Sequence, residues 1–526
     1  MLHWLEDAVF YQLYPISFFD SNGDGKGDLQ GIIQKADYLQ DLGVTCVWLN
    51  PIYKSPFKDG GYDIADYMQI DKRFGTMEDL QAVIDTFHAR GIRVILDLVI
   101  GHTSNKHPWF KKSATAKPNK YWDYYIWTEN LFQDHPGLIR GLHDRDGGYL
   151  PNYYASQPAL NYGFENPDPE KPWQMHYTDE RLRPLREELL QVMRHYLDMG
   201  ADGFRVDMAG HMIKGGSTFD ESKLFDHSDE GLNGIKWFWN QILPVLRAEY
   251  KDAVFVAEWC LPQIAIAKCG FDVDILAHDN VAFNDLLRNE PGENLVPYYE
   301  RGDDYFSPNG KGTMKNFVEY AAYLYDQMGN KGMFTTATGS HDEIRMSIHK
   351  DEAMIRCIWA FLLTYKNVPF VYYGDEIGME HNFELSKDGG GIRTGARTPM
   401  QWTKGRNRGF TTSRSPYLPT SNKKGQSVEE QLADPDSILN CAKELIALRK
   451  SCPALRTSSK QEFISTGYPA MYTREGGGQK ITVLLNPSNE TFTKEVPHSK
   501  VLKAQNTEVN GATVTLKPQS FVILEN

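Results

Sequence analysis

The chain has 526 residues and a formal net charge of −13, with the acidic residues spread along its length. This charge argues against nucleic acid and anionic membranes as partners and is compatible with a neutral substrate. No stretch approaches the roughly 20 consecutive apolar residues that span a bilayer. Aromatic residues make up 12% of the chain, which suits stacking against sugars but also ordinary core packing.

The N-terminal sequence and the cysteines bear on the compartment. MLHWLEDAVFYQLYP has neither the basic start nor the long apolar stretch of a signal peptide. The six cysteines show no CxxC spacing, and several lie inside apolar strand or helix patterns. We expect a cytoplasmic protein with isolated buried thiols, as a monomer or a small homo-oligomer. A secreted protein whose signal has been removed is the alternative, and disulfides would then be open.

Strand-like runs alternate with helix-like runs through most of the chain. The pattern first predicts strands in AVFYQLYP, VTCVWL and RVILDLVI, with helices over 29–42 and 77–90 between them. After an interruption it predicts helices over 185–199 and 235–250 and strands in GFRVD, AVFVAE, FDVDIL, MFTTAT and VPFVYYG. Eight strands with intervening helices predict an α/β fold, a closed parallel (β/α)8 TIM barrel.

Two segments do not follow this alternation. Residues 103–179 are rich in Pro, Gly, Asn, Asp, Tyr and Trp, which predicts a small loop-rich domain inserted after the third strand. After residue 453 the sequence changes to alternating stretches around glycine turns, typical of an all-β sandwich. The predicted division is therefore a barrel at 1–102 and 180–453, an insertion at 103–179 and a C-terminal domain at 454–526.

Three acidic residues follow the ends of three predicted strands: Asp207 in GFRVDMAGH, Glu258 in VFVAEW and Asp342 in TTATGSHDE. The active sites of α/β barrels lie at the carboxyl ends of the strands, so these side chains should gather there. Glycosidic bond cleavage needs a nucleophile or base and an acid on opposite sides of one sugar carbon. A single such residue is as often a loop cap or salt bridge, but three in order favour catalysis.

The neighbours of these carboxylates support the same chemistry. Arg205 lies two positions before Asp207, so both side chains should point to one face of the strand. The charge of Arg205 would then keep Asp207 ionised as a nucleophile. Apolar residues flank Glu258 in the sequence and would favour its protonated form, which a general acid requires.

Several motifs occur in an order typical of one enzyme family. They are PIYKSP, GYDIADY, DLVIGHTSN, QPALN, GFRVDMAGH, VAEW, SHD, VYYGDEIGM and ARTPMQW. On these motifs the chain resembles glycoside hydrolase family 13, the α-amylase family, over nearly its whole length. The resemblance implies retention of anomeric configuration, with Asp207 as nucleophile and Glu258 as general acid and then base. It also implies that Asp342 binds sugar hydroxyls and promotes ring distortion.

The same resemblance implies a set of substrate-binding residues around the cleaved sugar. His102 and His341 would bind its hydroxyls. Tyr62 would be its aromatic platform, and Asp63 would be a hydroxyl-binding carboxylate.

Further residues are implied at the edge of the site. His211 and Trp259 would line the leaving-group side. Arg397 would reach the substrate or pair with an acid at the pocket rim, and a buried structural arginine is the alternative. The positions that depart from the family pattern are Gly101, Ala159, Met208 and Ser340. In many amylases an Asn in place of Gly101 binds a calcium between barrel and insertion, so no second calcium is expected here, and linkage specificity stays open.

A separate loop near the N-terminus, DSNGDGKGD, carries oxygen-bearing side chains at alternate positions. Asp20, Asn22 and Asp24 alternate before a glycine turn, and Asp28 closes the loop, as in the first half of an EF-hand. The family resemblance adds the backbone carbonyl of Lys26 and implies a structural Ca²⁺, with Mg²⁺ possible. A polar turn without metal is the alternative.

Three functions are compatible with these features. The first is a retaining α-glucosidase acting on short α-glucosides, which the metal loop, QPALN and ARTPMQW favour over an endo-acting α-amylase. The second is an α-glucosyl transferase or isomerase, such as a trehalose synthase, in which a sugar hydroxyl captures the covalent intermediate in a pocket that excludes water. The third is a non-enzymatic, transporter-associated member. It is disfavoured because such chains carry a membrane anchor and typically lack the carboxylates.

Overall fold

The computed structural model describes residues 1–132, 137–215, 231–276, 283, 286–287, 303–421 and 423–526. Within them, a ring of eight parallel strands forms the centre of the molecule. The strands are β1 Phe10–Leu13, β2 Cys46–Leu49, β3 Arg93–Leu98, β4 Gly203–Val206, β5 Val254–Ala257, β6 Val273–Leu276, β7 Met333–Thr336 and β8 Phe370–Tyr372. Neighbouring strands run in the order β7-β6-β5-β4-β3-β2-β1-β8, and a bridge between Ala337 and Phe370 joins the two ends. The predicted barrel is confirmed.

Helices connect successive strands and pack against the outer face of the barrel. Their bounds are Leu29–Gln34, Ala36–Leu42, Met77–His88, Pro108–Ser113, Arg183–Asp198, Asn233–Glu249, Pro262–Ala265, Lys315–Met328, Glu352–Thr364, Val428–Leu432 and Ile438–Ser451. Side-chain caps mark several starts, such as the capping box between Thr76 and Asp79. The single helix predicted over 29–42 is divided in two, because the backbone leaves the helical conformation at Lys35 (φ −107°, ψ 8°).

Alternation along the strands decides which side chains enter the barrel. In β5, Val254 and Val256 pack in the interior with Trp48, whereas Phe255 faces the surrounding helices. The same alternation turns the next position, Glu258, toward the interior at the carboxyl end of the strand. Side chains at the interior-facing positions of the strand ends therefore converge at the carboxyl end of the barrel.

The inserted segment 103–179, which lies between β3 and the helix Arg183–Asp198, is mostly irregular. Among its described residues, regular structure consists of the helix Pro108–Ser113 and a hairpin of Ile139–Arg140 with Gly148–Tyr149. A small apolar cluster holds it together, with Ile126, Ala159, Phe164 and Trp173 buried. The predicted loop-rich insertion after the third strand is confirmed.

The C-terminal strands form one antiparallel sheet. They are β9 Lys460–Ser465, β10 Ala470–Gly476, β11 Gln479–Asn486, β12 Phe492–Glu495, β13 Lys500–Asn510 and β14 Thr513–Glu525. The long β14 pairs with β11, β12 and β13, so the predicted two sheets are joined into one. One face of the sheet packs on the barrel through Leu485 and Phe521, and Leu484 and Val522 lie in a separate cluster.

Two further features are the hydropathy of the helices and the state of the cysteines. No helix in the described part of the chain is both long and apolar enough to cross a membrane. All six cysteines lie in that part, and each is buried and outside any disulfide. Burial raises the pKa of the Cys46 thiol well above its usual range, so it packs as a small neutral side chain.

Candidate active site

One buried guanidinium holds three carboxylates at the carboxyl end of the barrel. Arg205 is 1% exposed, and its Nη1 donates to Asp97 Oδ1 at 2.8 Å and to Asp207 Oδ1 at 3.0 Å. Its Nη2 pairs with Glu258 Oε1. Asp207 and Glu258 therefore bind the two Nη nitrogens of one guanidinium, close enough to face a single sugar ring. The structure thus brings together the two residues on which the sequence argument depends most.

Three carboxylates share this single cation, so the cluster has excess negative charge. Burial raises the pKa of Asp207, Arg205 lowers it in part, and Glu258, Asp97 and Asp342 raise it again. Burial also raises the pKa of Asp97 to about 6, against the opposing charge of Arg205. The expectation that Arg205 simply keeps Asp207 ionised is too simple, because its charge is divided among three partners. Such a cluster favours retention of a proton, which a paired nucleophile and acid require.

Glu258 is held by polar partners rather than by the apolar setting expected from its sequence neighbours. One carboxylate oxygen pairs with Arg205, and Oε2 accepts the backbone N–H of Met208 at 2.9 Å. Met208 has a φ of +44°, a left-handed conformation that residues with a side chain rarely adopt. This turn directs its N–H at the carboxylate, so the residue after Asp207 fixes the position of Glu258.

Asp342 follows β7 and contacts three positively polarised groups. Its Oδ1 accepts from Arg397 Nη2 at 2.7 Å and from Arg393 Nη1 at 2.9 Å, and its Oδ2 lies 3.2 Å from His341 Nε2. Arg397 also donates from Nε to His341 O at 2.8 Å. Arg397 is 3% exposed and paired with an acid, so it combines features of both alternatives. Arg393 was not identified from sequence, although it lies one helical turn before Arg397.

Tyr62 forms the aromatic wall of the site. It stacks on His341 with ring centroids 5.0 Å apart and planes inclined by 7°, and its hydroxyl donates to Asp97 Oδ2 at 2.7 Å. Burial lowers the pKa of His341 well below its usual range, so the ring is neutral. Gln12 Nε2 lies 2.9 Å from His341 Nδ1 and 3.0 Å from Asn50 Oδ1. Because Gln12 donates there, the His341 proton is on Nε2 and faces Asp342.

His102 is buried, and both its ring nitrogens have protein partners. Nε2 lies 3.0 Å from Tyr62 O, and Nδ1 lies 3.1 Å from Asn152 Nδ2. Burial lowers the pKa of His102 to about 4, so its ring is neutral. The structure therefore brings His102 to the site as a support for the Tyr62 backbone, with both nitrogens occupied rather than directed at a sugar.

The orientation of Asn152 is fixed by a lysine that joins the insertion to the barrel. Lys214 Nζ donates to Asn152 Oδ1 at 2.8 Å and to His211 O at 3.1 Å. Asn152 fills the space beside Gly101, since a Cβ added at Gly101 would lie 3.0 Å from Asn152 Nδ2. An ammonium group thus lies at the junction where the resemblance led us to expect no calcium.

Asp63, expected to bind sugar hydroxyls, is fully buried in its own loop. Its Oδ1 accepts the Ser55 hydroxyl at 2.8 Å, and its Oδ2 accepts a backbone N–H of the same loop at 3.0 Å. The structure does not place this carboxylate at the site. Asp59 lies there instead, accepting from Gln157 Nε2 at 2.7 Å and lying 3.6 Å from Arg393 Nη2. Sequence reasoning missed Asp59, although only Gly60 separates it from the GYD motif.

The two residues expected on the leaving-group side pack close to the catalytic turns. Trp259 is 5% exposed, and its indole lies against Gly210, where an added Cβ would be 2.1 Å from its Nε1. It is therefore a packing residue of the turn after Asp207, with little free surface for stacking. His211 closes the turn after Asp207 by donating its N–H to Met208 O at 2.9 Å, and burial lowers its pKa to about 4.

The predicted metal loop is folded around its own side chains. Asp20 Oδ1 accepts the N–H of Asn22 at 3.1 Å, Asn22 Oδ1 that of Asp24 at 2.9 Å, and Asp24 Oδ1 that of Lys26 at 2.8 Å. Asp28 accepts from Asn22 Nδ2 at 3.2 Å. The donor types suit Ca²⁺. However, no group of three or more His, Cys, Asp or Glu side chains in the described ranges is arranged to hold a metal ion. The bound cation therefore stays a prediction.

Comparison with known proteins agrees with this architecture. Residues 12–458 match the family model for the α-amylase catalytic domain. The chain is 32% identical to an oligo-1,6-glucosidase of Heyndrickxia coagulans, with 99% of each chain covered. It is 30% identical to a trehalose synthase of Pimelobacter sp., over 92% of this chain and 87% of the relative. The solved trehalulose synthase MutB of Pseudomonas mesoacidophila MX-45 superposes with a TM-score of 0.82 at 26% identity, over 99% of both chains.

The barrel, the gathered carboxylates and the family match define the class of protein. The chain belongs to the α-amylase family of glycosidases. Its relatives at similar identity are named for different reactions, namely oligo-1,6-glucosidase, trehalose synthase and trehalulose synthase. The class of chemistry is therefore set by family membership, and the particular reaction has to be argued from the site.

Proposed function

We propose that this protein is a retaining α-glucosidase that cleaves short α-glucosides by double displacement. The observation that supports this most directly is the placement of Asp207 and Glu258 on one guanidinium, with Asp342 lining the same site. Two carboxylates this close favour a nucleophile and an acid that work without an intervening water, as retention requires.

The residues would act in two steps. Asp207 attacks the anomeric carbon, the glycosidic C–O bond breaks, and Glu258 gives its proton to the departing oxygen. The product of this step is a glucosyl ester on Asp207. Glu258 then takes a proton from the incoming water, whose oxygen attacks the same carbon and releases Asp207. Asp342, fixed by Arg393 and Arg397, would hold sugar hydroxyls while the ring distorts.

The preference for short substrates is argued from contacts above the carboxylates. Arg393 lies between Asp342 and Asp59, and it also approaches the hydroxyl of Tyr154 at 3.4 Å. These contacts join the segment after β8 to the loop after β2 and to the insertion. A bridge of this kind leaves little room for a long chain to run through the site, so action at a chain end is favoured.

A second candidate is glucosyl transfer to a sugar hydroxyl, as in an isomerase. It is favoured by the similarity to a trehalose synthase and by the match to a MutB mutant in complex with the substrate sucrose, with a TM-score of 0.83 and 26% identity over 100% of both chains. The same Asp207 ester would then be attacked by a sugar hydroxyl instead of water, with Glu258 again taking the proton.

A product panel separates the two candidates. The purified protein is incubated with maltose, isomaltose, sucrose, trehalose and soluble starch, and the products are identified with their anomeric configuration at early times. Release of α-glucose from maltose or isomaltose supports hydrolysis with retention. Conversion of maltose to trehalose, or of sucrose to an isomer, supports transfer. Release of β-glucose, or no reaction with any of these sugars, would refute the proposed function.

We also propose that the loop of Asp20, Asn22, Asp24, Lys26 and Asp28 binds a structural Ca²⁺. The alternating side-chain oxygens and the glycine turns are the features in its favour. The loop also bonds to Thr411, whose hydroxyl donates to Asp20 Oδ2. A cation there would stabilise the contact between the N-terminal loop and the segment after β8.

A further inference from the structure

The carboxylate of Asp274 lies beneath the turn that carries Glu258. Asp274 is in β6, where Val273 and Ile275 face the barrel interior and Asp274 is fully buried on the outer side of the strand. Its Oδ1 accepts the backbone N–H of Trp259 at 3.0 Å. Trp259 directly follows Glu258, so this bond joins β6 to the point where the chain leaves β5.

The next two amides of the same turn also face Asp274. Burial raises the pKa of Asp274 well above its usual range, and the N–H groups of Trp259, Leu261 and Cys260 oppose that change. Cys260 has a φ of +61°, a left-handed conformation that turns successive N–H groups toward one side, as in anion-binding turns. Because Oδ2 makes no hydrogen bond of normal geometry, the Trp259 amide is the main attachment.

Glu258 is therefore approached from two sides. Arg205 and the N–H of Met208 hold its carboxylate from the nucleophile's strand, and Asp274 holds its backbone from the next strand. Asp207 is anchored on Arg205 rather than on the Asp274 turn. Loss of the Asp274 bond should then disturb Glu258 more than it disturbs Asp207.

We propose that Asp274 is a positioning residue for Glu258, holding the strand end from which this carboxylate reaches the departing oxygen. The inference rests on the proposed glycosidase function, in which Glu258 is the proton donor. A displaced donor has a specific consequence, because only a poor leaving group needs the proton when the C–O bond breaks. Substrates that differ in leaving group therefore report the position of Glu258 separately from that of Asp207.

The opposite end of the same strand pair offers a matched control. Asp272, just before β6, accepts the N–H of Phe255 at 2.9 Å and Arg247 Nη2 at 2.8 Å. It is 4% exposed and ties β6 to β5 at the amino end, away from the carboxylates. Asp272→Ala therefore weakens the same pair of strands without affecting the Glu258 turn.

The experiment compares kcat/KM for the better of maltose and isomaltose with kcat/KM for 4-nitrophenyl α-glucoside. Asp274→Ala removes both acceptor oxygens and should lower the value for the disaccharide about 10-fold more than the value for the nitrophenyl substrate, whose leaving group departs without a proton. Asp272→Ala should lower both values equally or not at all. Equal losses with Asp274→Ala on both substrates, or no loss, would overturn the inference.

Two further measurements keep the inference open to refutation. If Asp274→Ala does not fold, Asp274→Asn is measured in the same way; it loses the charge but keeps one neutral acceptor oxygen, so it should show a smaller loss of the same kind, and equal losses on both substrates would overturn the inference. In the unmodified protein, the amide hydrogens of residues 259–261 should exchange with solvent as slowly as those of β5. Rapid exchange would contradict the proposal that Asp274 fixes the backbone of this turn. A wild-type protein that cleaves neither substrate would instead refute the proposed function.

Discussion

A buried glutamate next to β8 should make the stability of this protein depend on pH in a defined direction. Glu376 is fully buried, and its Oε1 accepts the hydroxyls of Tyr11 at 2.6 Å and Tyr38 at 2.8 Å. Burial raises the pKa of Glu376 from 4.5 to about 7, with the two tyrosines opposing the change. The folded state thus binds the proton more tightly than the unfolded state does. The stabilisation that this tighter proton binding gives to the folded state is fully present below pH 4.5 and is lost as pH rises through 7.

The size of the effect follows from that difference. A rise from 4.5 to about 7 corresponds to about 3 kcal/mol between the two protonation states. Glu376→Gln keeps a neutral acceptor oxygen for Tyr11 and Tyr38 and has no charge to bury. We therefore expect the variant to gain about 3 kcal/mol of unfolding free energy relative to wild type between pH 4.5 and pH 7.5.

Chemical unfolding at a series of pH values measures this gain. The exposed Glu384 provides the control, since Glu384→Gln should track wild type at every pH. A constant difference between Glu376→Gln and wild type from pH 4.5 to 7.5 would show that the carboxyl titrates normally in the fold. The reasoning from burial would then be wrong.

Three further perturbations test the site and the loop. Asp207→Asn should reduce turnover by about 10³-fold or more with a melting temperature no lower than that of wild type, and near-normal activity would rule out Asp207 as nucleophile. Arg393→Gln removes a charged bond to Asp342 and should lower kcat/KM about 10-fold, mainly through KM, whereas the exposed Arg406→Gln should match wild type. An unaltered KM in Arg393→Gln would argue against its role. EDTA should lower the melting temperature more than the initial rate, and an unchanged melting temperature would count against a bound cation at 20–28.

The barrel could be predicted from the sequence because the same pattern, an apolar strand followed by an amphipathic helix, recurs along the chain. Each strand is a short apolar run before a turn, and each helix has its own period, so errors at single boundaries do not alter the topology. Asp207 and Glu258 could be placed because strand parity fixes their direction once the barrel is assumed. The division of the helix at Lys35 was missed, since no glycine or proline marks it.

The residues that sequence analysis missed were missed for one physical reason: their contacts join irregular segments that are far apart in the chain. Asp59 and Arg393 meet although more than 300 positions separate them, and Asn152 meets Lys214 across the junction of insertion and barrel. Such contacts depend on the path of irregular segments, which periodicity does not describe. Asp63 was chosen over Asp59 because it lies inside the recognised motif. Only the hydrogen bonds of the folded loop show which of the two is free to face the site.

The positive charge at this junction belongs to the side chain of Lys214, which donates to Asn152, and not to a bound ion. Burial lowers the pKa of Lys214 to about 8, so this charge is present at neutral pH, where it cannot be diluted away or removed by a chelator. The wall beside Tyr62 and His102 should therefore keep its shape in media of any calcium content. Sensitivity to chelators, where it is found, should then be traced to the N-terminal loop of residues 20–28.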